Sequence, residues 1–212
     1  VHHTQCTAQL CCSGSDDYLN WLDHLLQYNN LLPMKLSGTT YEFKIFDSPS
    51  EMMAEIKKLN RYKNKSRMVA GYCWDWNSRK NSHQKDIVIG DDFAYKWNLS
   101  NDDTWSISKG SVDQIGCIHT CQGLEFEYVG VIIGEDLVYR DGIIKVNPSK
   151  RSSNDRSIWG WKKMEQEDRE STHDKLRALI KNTYRTLMTR GMKGCYVYVC
   201  DEELRNYIKQ WI

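Results

Sequence analysis

Two short runs carry the residues best suited to phosphate chemistry. The first is Ile118-His119-Thr120-Cys121-Gln122-Gly123-Leu124-Glu125-Phe126-Glu127-Tyr128-Val129. A glycine at a tight turn beside a strand end lets backbone approach a phosphate closely, because no Cβ stands in the way. His119, Thr120, Gln122 and Glu125 set polar side chains on either side of Gly123. The second run is Tyr184-Arg185-Thr186-Leu187-Met188-Thr189-Arg190-Gly191-Met192. An arginine held at a helix end, here Arg190 after Thr189, can lay its planar guanidinium against phosphoryl oxygens and neutralise charge that builds up during transfer. Alone, each residue has a commoner use: a polar side chain satisfied at a strand end, or a surface arginine complementing a helix C-terminus.

Weaker candidates flank these. Trp74-Asp75-Trp76 could offer a stacking platform for bases, although tryptophan at a strand end more often packs into a core. His2, His3, Cys6, Cys11 and Cys12 have zinc-ligand chemistry, but their spacing matches no standard zinc pattern, and incidental thiols are the simpler reading. No metal site is expected. Nor does any Gly-x-x-x-x-Gly-Lys-Ser/Thr phosphate loop or acidic magnesium-binding strand end occur, so the chain by itself is not expected to hydrolyse ATP.

The elements that must position these residues follow from hydrophobic period. Short apolar, β-branched stretches alternate with stretches of helical period, which predicts βαβ units around a mostly parallel sheet. A helix is predicted over residues 15–27, with Asp16 and Asp17 in its first turn and Leu19, Leu22, Leu25 and Leu26 on one face. Ser48, Pro49 and Glu51 form an N-terminal signature ahead of Met52, Met53 and Ile56. Strands are predicted over residues 41–46, 67–73, 115–119, 129–133 and 195–199. A hairpin insertion is predicted from residues 87–89 and 93–97. The stretch 139–163 reads as a basic loop region. A helix from about residue 172 carries Leu176, Ile180, Tyr184 and Leu187, with Gly191 expected to end it in a left-handed conformation. Asp201 caps a final amphipathic helix.

Composition narrows the class. With 212 residues, 29 basic and 28 acidic, the net charge of +1 gives no broad pull toward nucleic acid or membrane, so any such contact must be local. No apolar run approaches the roughly 18 residues that span a bilayer. The eight cysteines lack a disulfide rhythm. A soluble, cytoplasmic protein with reduced thiols is expected, and the start at Val1 suggests a fragment.

The first run resembles motif V of superfamily-one helicases: a hydrophobic residue, His or Asp, two variable positions, Gln or Lys, Gly, one variable position, Glu, then a later Val or Ile. Ile118, His119, Gln122, Gly123, Glu125 and Val129 fit at each place. The second resembles motif VI, whose core is a hydrophobic residue followed by Thr-Arg-Ala or Thr-Arg-Gly, here Met188, Thr189, Arg190 and Gly191. Gln9-Leu10-Cys11 resembles motif IV except that Cys11 stands where the family has arginine. With Gly71-Tyr72-Cys73-Trp74-Asp75-Trp76 and Asn182-Thr183-Tyr184-Arg185, nearly the whole chain is similar to schlafen group 3-like DNA/RNA helicase domains.

The resemblance implies one RecA-like α/β lobe over residues 1–212, the second of a motor. Arg190 would be an arginine finger. Gly123, Glu125, Gln122 and Thr189 would meet nucleotide, Glu125 at its ribose. His119, Thr120 and Trp76 would couple to single-stranded DNA or RNA. ATP and magnesium would be held mainly by an N-terminal RecA-like lobe absent from this sequence. Cys11 cannot carry a permanent positive charge, so either turnover is impaired or another base, Arg67 or Arg185, substitutes. A degenerate lobe that binds nucleic acid without turnover therefore stays open. A nuclease accessory role finds no clustered acidic triad. The motor reading requires the turn at Gly123 and the helix end at Arg190 to meet on one edge of one sheet.

Overall fold

A computed structural model of the chain describes residues 15–98, 105, 106, 108, 110–121 and 123–212. The motif IV-like segment through Gly14, the histidine and cysteine cluster at positions 2–12, and Gln122 lie outside the described residues.

Three strands with unbroken apolar runs form the centre, as burial on both faces requires: β2 (Ser66–Ala70), β6 (Phe126–Ile133) and β9 (Gly191–Val199). Flanking them are β1 (Glu42–Phe46), β3 (Ile87–Ile89), β4 (Phe93–Trp97) and β5 (Gln114–Gly116), in the order β1-β9-β6-β2-β5-β4-β3. Every neighbouring pair is parallel except β4 with β3, which is the expected hairpin at the sheet edge. The expected α/β, RecA-like architecture is what forms.

Alternate residues of β6 face opposite layers, as strand geometry dictates. Val129, Val131 and Ile133 pack against α1 (Asp16–Leu25), α4 (Arg169–Met188) and α5 (Glu202–Lys209), while Ile132 packs against α2 (Pro49–Lys63) and the β3–β4 hairpin. The caps are local chemistry. The Ser48 hydroxyl accepts from the Glu51 amide at 3.3 Å with Pro49 in the first turn of α2, and Asp168 and Asp201 do the same for α4 and α5. Among the described residues no helix is long and apolar enough to cross a membrane.

Three expectations are corrected. The stretch 139–163 is not a plain basic loop: it holds most of a second hairpin, β7 (Leu137–Arg140) with β8 (Ile143–Val146), and the seven-residue helix α3 (Trp161–Glu167) begins within it. Its cations are largely matched, Arg140 with Asp201, Lys145 with Asp141, Lys150 with Glu135, and Arg151 with Asp136 and Asp155. Acids within the stretch, just before it and, for Arg140, far along the chain at Asp201 neutralise what reads as a basic run. Gly191 does not end α4 in a left-handed turn; it opens β9, where an added Cβ would stand 2.1 Å from the Gly194 carbonyl oxygen. The strand predicted over 115–119 stops at Gly116, because the Cys117 amide turns to the Thr120 hydroxyl at 2.9 Å.

Candidate nucleotide and nucleic-acid site

The motif V-like turn and the motif VI-like helix end meet through the backbone. Phe126 opens β6 opposite Gly191 of β9, and its amide donates to the Arg190 carbonyl at 2.9 Å. Above this bond the turn is built from short-range contacts. The amides of Thr120 and Cys121 donate to the Cys117 carbonyl at 3.1 and 3.0 Å, and the Leu124 amide to Cys121 at 3.1 Å. Gly123 has φ of +76°, where any Cβ is strained, and the space beside it is open. Its requirement is therefore conformational rather than steric. Leu124 and Phe126 anchor the turn in the core, the latter edge-on to Trp105 at 5.8 Å, and leave Glu125 at the surface. The other acid of the run, Glu127, is tied to Lys63 at 3.0 Å and Lys193 at 3.2 Å, and the Lys63 bond holds its carboxyl below the usual range.

Arg190 is half-buried, with Nε donating to the Thr186 carbonyl at 3.1 Å. Among the described residues its two Nη amino groups make no hydrogen bond. The guanidinium lies close enough to the turn to be felt at Cys121, whose thiol burial pushes up while the Arg190 charge pulls the other way. Thr189 is buried and its hydroxyl donates to the Thr186 carbonyl at 3.0 Å, so it closes the end of α4. Two tyrosines that sequence reasoning missed hold this corner. The Tyr18 hydroxyl donates to the Met188 carbonyl and the Tyr41 hydroxyl to that of Gly191, both at 3.0 Å, with the rings 4.1 Å apart. Neither has a local signal, since each lies 150 or more residues away in the chain.

The remaining site residues sit toward the other end of the strands. Gly116 is level with Val69 and, across β2, with Val131, five residues beyond Phe126, a span of roughly 16 Å at strand rise. The connection from Cys117 to Glu125 runs back along that length. His119 is therefore exposed near the carboxyl ends of β2 and β5, its ring 6.2 Å from Tyr72, whereas Gly123, Glu125 and Arg190 lie at the amino ends of β6 and β9. Thr120 is half-buried and its hydroxyl serves the turn. Trp76 is half-buried, its indole N–H on Ser78 at 3.1 Å and the Arg79 guanidinium 5.3 Å over its ring. Trp74 packs edge-on to Trp97 at 6.4 Å.

Neither arginine considered as a stand-in for Cys11 has a spare fork. Arg67 is fully buried, bonded to Asn60 at 2.7 Å, Asn64 at 3.0 Å and Ser111 at 2.8 Å, and burial lowers it to about 10. Arg185 is paired with Asp23 of α1 at 2.5 Å. Of two sizeable cavities, one of about 670 Å³ lies elsewhere and one of about 660 Å³ borders this corner through Tyr41, Met192 and Lys193, and neither includes Gly123, Glu125 or Arg190. The site is an open edge.

A mostly parallel sheet with helices on both faces, carrying these two runs hydrogen-bonded to each other at the strand ends, is a RecA-like α/β fold. Residues 1–201 match the model of the Schlafen group 3, DNA/RNA helicase domain, and the chain belongs to that family. It is also 28% identical over 215 residues to the uncharacterized protein YPL245W of Saccharomyces cerevisiae, a match covering 93% of this chain and 46% of that protein. The chain thus spans about half the length of this relative.

Proposed function

We propose that the chain is the second motor lobe of an ATP-dependent DNA/RNA helicase or translocase, completing an ATP site whose phosphate loop belongs to a preceding RecA-like lobe. The observation that carries this reading is the Phe126 to Arg190 hydrogen bond, which ties the Gly123 turn to the arginine-bearing helix end. An open edge with an arginine whose Nη groups are uncommitted among the described residues suits half of a site that a second lobe closes.

In this reading Arg190 neutralises charge on the γ-phosphoryl oxygens in the transition state, a role worth about 10³ to 10⁵ in rate where such fingers have been removed. Gly123 and Glu125 contact nucleotide at the ribose and phosphate side and sense the interface, Gln122 couples this turn to nucleic acid, and Thr189 holds the helix end that aims Arg190. Magnesium, held by the first lobe, would neutralise phosphate charge. Closing of the two lobes on ATP and reopening on product is a hinge transition driven by their different affinities for the closed state. The 117–125 connection, which reaches both ends of the strands, couples that closure to a single strand contacted by His119, Thr120 and Trp76.

The test is Arg190→Ala in the full-length protein, with nucleic-acid-stimulated ATPase as readout. A loss of about 10³-fold or more is expected, and Arg190→Lys should recover little, since a point charge lacks the planar fork. Unchanged turnover removes Arg190 from catalysis.

A second reading, a binding module without turnover, draws on the commitment of Arg67 and Arg185 to other partners while Cys11 occupies the motif IV arginine place. It expects single-strand binding with steep salt dependence and no nucleotide effect even when the first lobe is present.

A further inference from the structure

Beyond the carboxyl end of β6 a loop with no part in the motif-like runs presents two tryptophans. Trp159 is 61% exposed. Trp161 opens α3 and is half-buried. Between them lies a cleft of about 340 Å³, bordered by Pro148, Ser149, Ile158 and Lys162 as well as the two indoles. That is the low end of ligand-pocket size and ample for one nucleobase. Each indole carries a cation: Arg156 lies 5.4 Å over Trp159, and Lys162 5.9 Å over Trp161. The single carboxylate bordering the cleft, Asp155, is buried and bonded to Arg151 at 2.5 Å, so the groups left at the surface are aromatic, hydroxyl and cationic.

The loop is held rigidly, which an exposed anchor requires if it is to bind without a large ordering cost. Arg151 is buried between Asp136 at 3.0 Å and Asp155 at 2.5 Å. Asp155 caps the following turn through the Ser157 amide at 3.0 Å, and the Trp159 indole N–H donates to the Ser153 carbonyl at 3.1 Å. The same loop is tied to the 72–76 segment, which bears Trp76, assigned above to nucleic acid. The Ser152 amide donates to the Tyr72 carbonyl at 2.9 Å, Asp75 accepts from Ser152 and Ser153, and the Trp76 amide donates to Asn154 at 2.9 Å. The Trp159 loop is thus fastened to the segment that carries Trp76, and the buried Tyr72 in that segment lies 6.2 Å from the His119 ring.

We infer that the Trp159–Trp161 cleft is a base-stacking subsite for single-stranded DNA or RNA, extending the strand path from His119, with Lys162 and Arg156 taking the backbone phosphates. This deepens the motor reading and rests on its nucleic-acid arm. Stacking on an aromatic platform is sequence-tolerant because every base has a π-face, and the flanking cations match a polyanion.

The experiment is anisotropy titration of fluorescein-labelled oligo-dT and oligo-U with the full-length protein. Trp159→Ala should weaken binding about 5- to 150-fold, the range that loss of one stacked base implies, with the salt slope unchanged. Trp159→Phe, which keeps a ring, should stay within a few-fold of the parent while losing part of the tryptophan quench on titration. Lys162→Ala should instead lower the salt slope by about one. Parent-like affinity in Trp159→Ala overturns the subsite and leaves the exposed ring to a protein partner. Failure of the parent protein to bind either oligomer overturns the subsite together with the nucleic-acid reading beneath it.

Discussion

At the amino ends of β6 and β9 the Arg190 corner itself is held by neutral groups, the Phe126 amide on the Arg190 carbonyl and the hydroxyls of Tyr18 and Tyr41 on the backbone around it. The charged tie there, Glu127 with Lys63 and Lys193, stays partly exposed. Beyond the carboxyl end of β6 the ties are charged and buried: Arg151 between Asp136 and Asp155, with Tyr184 donating to Asp136 and accepting from the Gly134 amide. The contrast follows from what each end exposes. Where Arg190 and Glu125 sit at the surface, a neighbouring buried charge would compete with any ligand for them, and backbone bonds hold the corner without that competition. Where an aromatic loop must stand out from the sheet, buried ion pairs with few alternatives fix a single geometry. α4 joins the two, carrying Tyr184 to one end and Thr189 to the other.

The difference can be broken from either side. The largest effect is on turnover, the fall of about 10³-fold or more for Arg190→Ala, and the thermal midpoint should barely move because the backbone bond survives the change. The reverse pattern is expected at the other end. Arg151→Ala leaves two buried carboxylates without their partner and should cost about 3–5 kcal/mol in denaturant-derived stability. Replacing all three charges with similar-sized neutral residues (Arg151→Met, Asp136→Asn, Asp155→Asn) should recover much of that loss. If Arg151→Ala unfolds as readily as the parent, the buried network does not hold the loop.

An effect of a few kcal/mol at most is expected from Lys181, on α4, whose ammonium donates to the Gln27 carbonyl at 3.1 Å. Burial holds it down to about 8 against an ordinary 10.5. The unfolded chain therefore binds more protons than the folded one between those values, so this residue's contribution to stability rises as pH climbs from about 8 toward 10.5, by about 1.4 kcal/mol per unit of depression. Lys181→Met should abolish the rise, and urea midpoints at pH 7 and 9.5 would show it. An unchanged slope would mean the lysine is not desolvated.

Smallest of all is Gly123→Ala. With open space beside the residue, the cost is that of a left-handed backbone, about 1–2 kcal/mol. A larger stability loss would show that the turn packs against something the described residues do not include. A fall in nucleotide affinity beyond the stability change would sharpen the assignment of this turn to phosphate.

Much of this protein could be read from order and period alone. Continuous apolar runs announced central parallel strands, helical spacing announced α4 and, together with caps, α2 and α5, and the two hairpin strands at 87–89 and 93–97 followed from their separation by Gly90, Asp91 and Asp92. These are local consequences of backbone geometry and side-chain type. The residues of the two motif-like runs were legible for the same reason, since their spacing within a turn or a helix end is short.

What lay beyond the sequence was everything decided by partners far along the chain. In the basic run at 139–163, Arg140 is taken up by the distant Asp201, and the fold also turns the preceding Glu135 and Asp136 back onto Lys150 and Arg151. Arg67 went into the interior and Thr189 turned its hydroxyl back onto its own helix. Tyr18 and Tyr41 reached across to the Arg190 corner, and Trp159 emerged beside the Trp76 loop. Local sequence sets which groups exist and which element bears them. Whether a charge is spent or available depends on which other strand ends the topology brings within a few ångströms, and that is a property of the folded sheet.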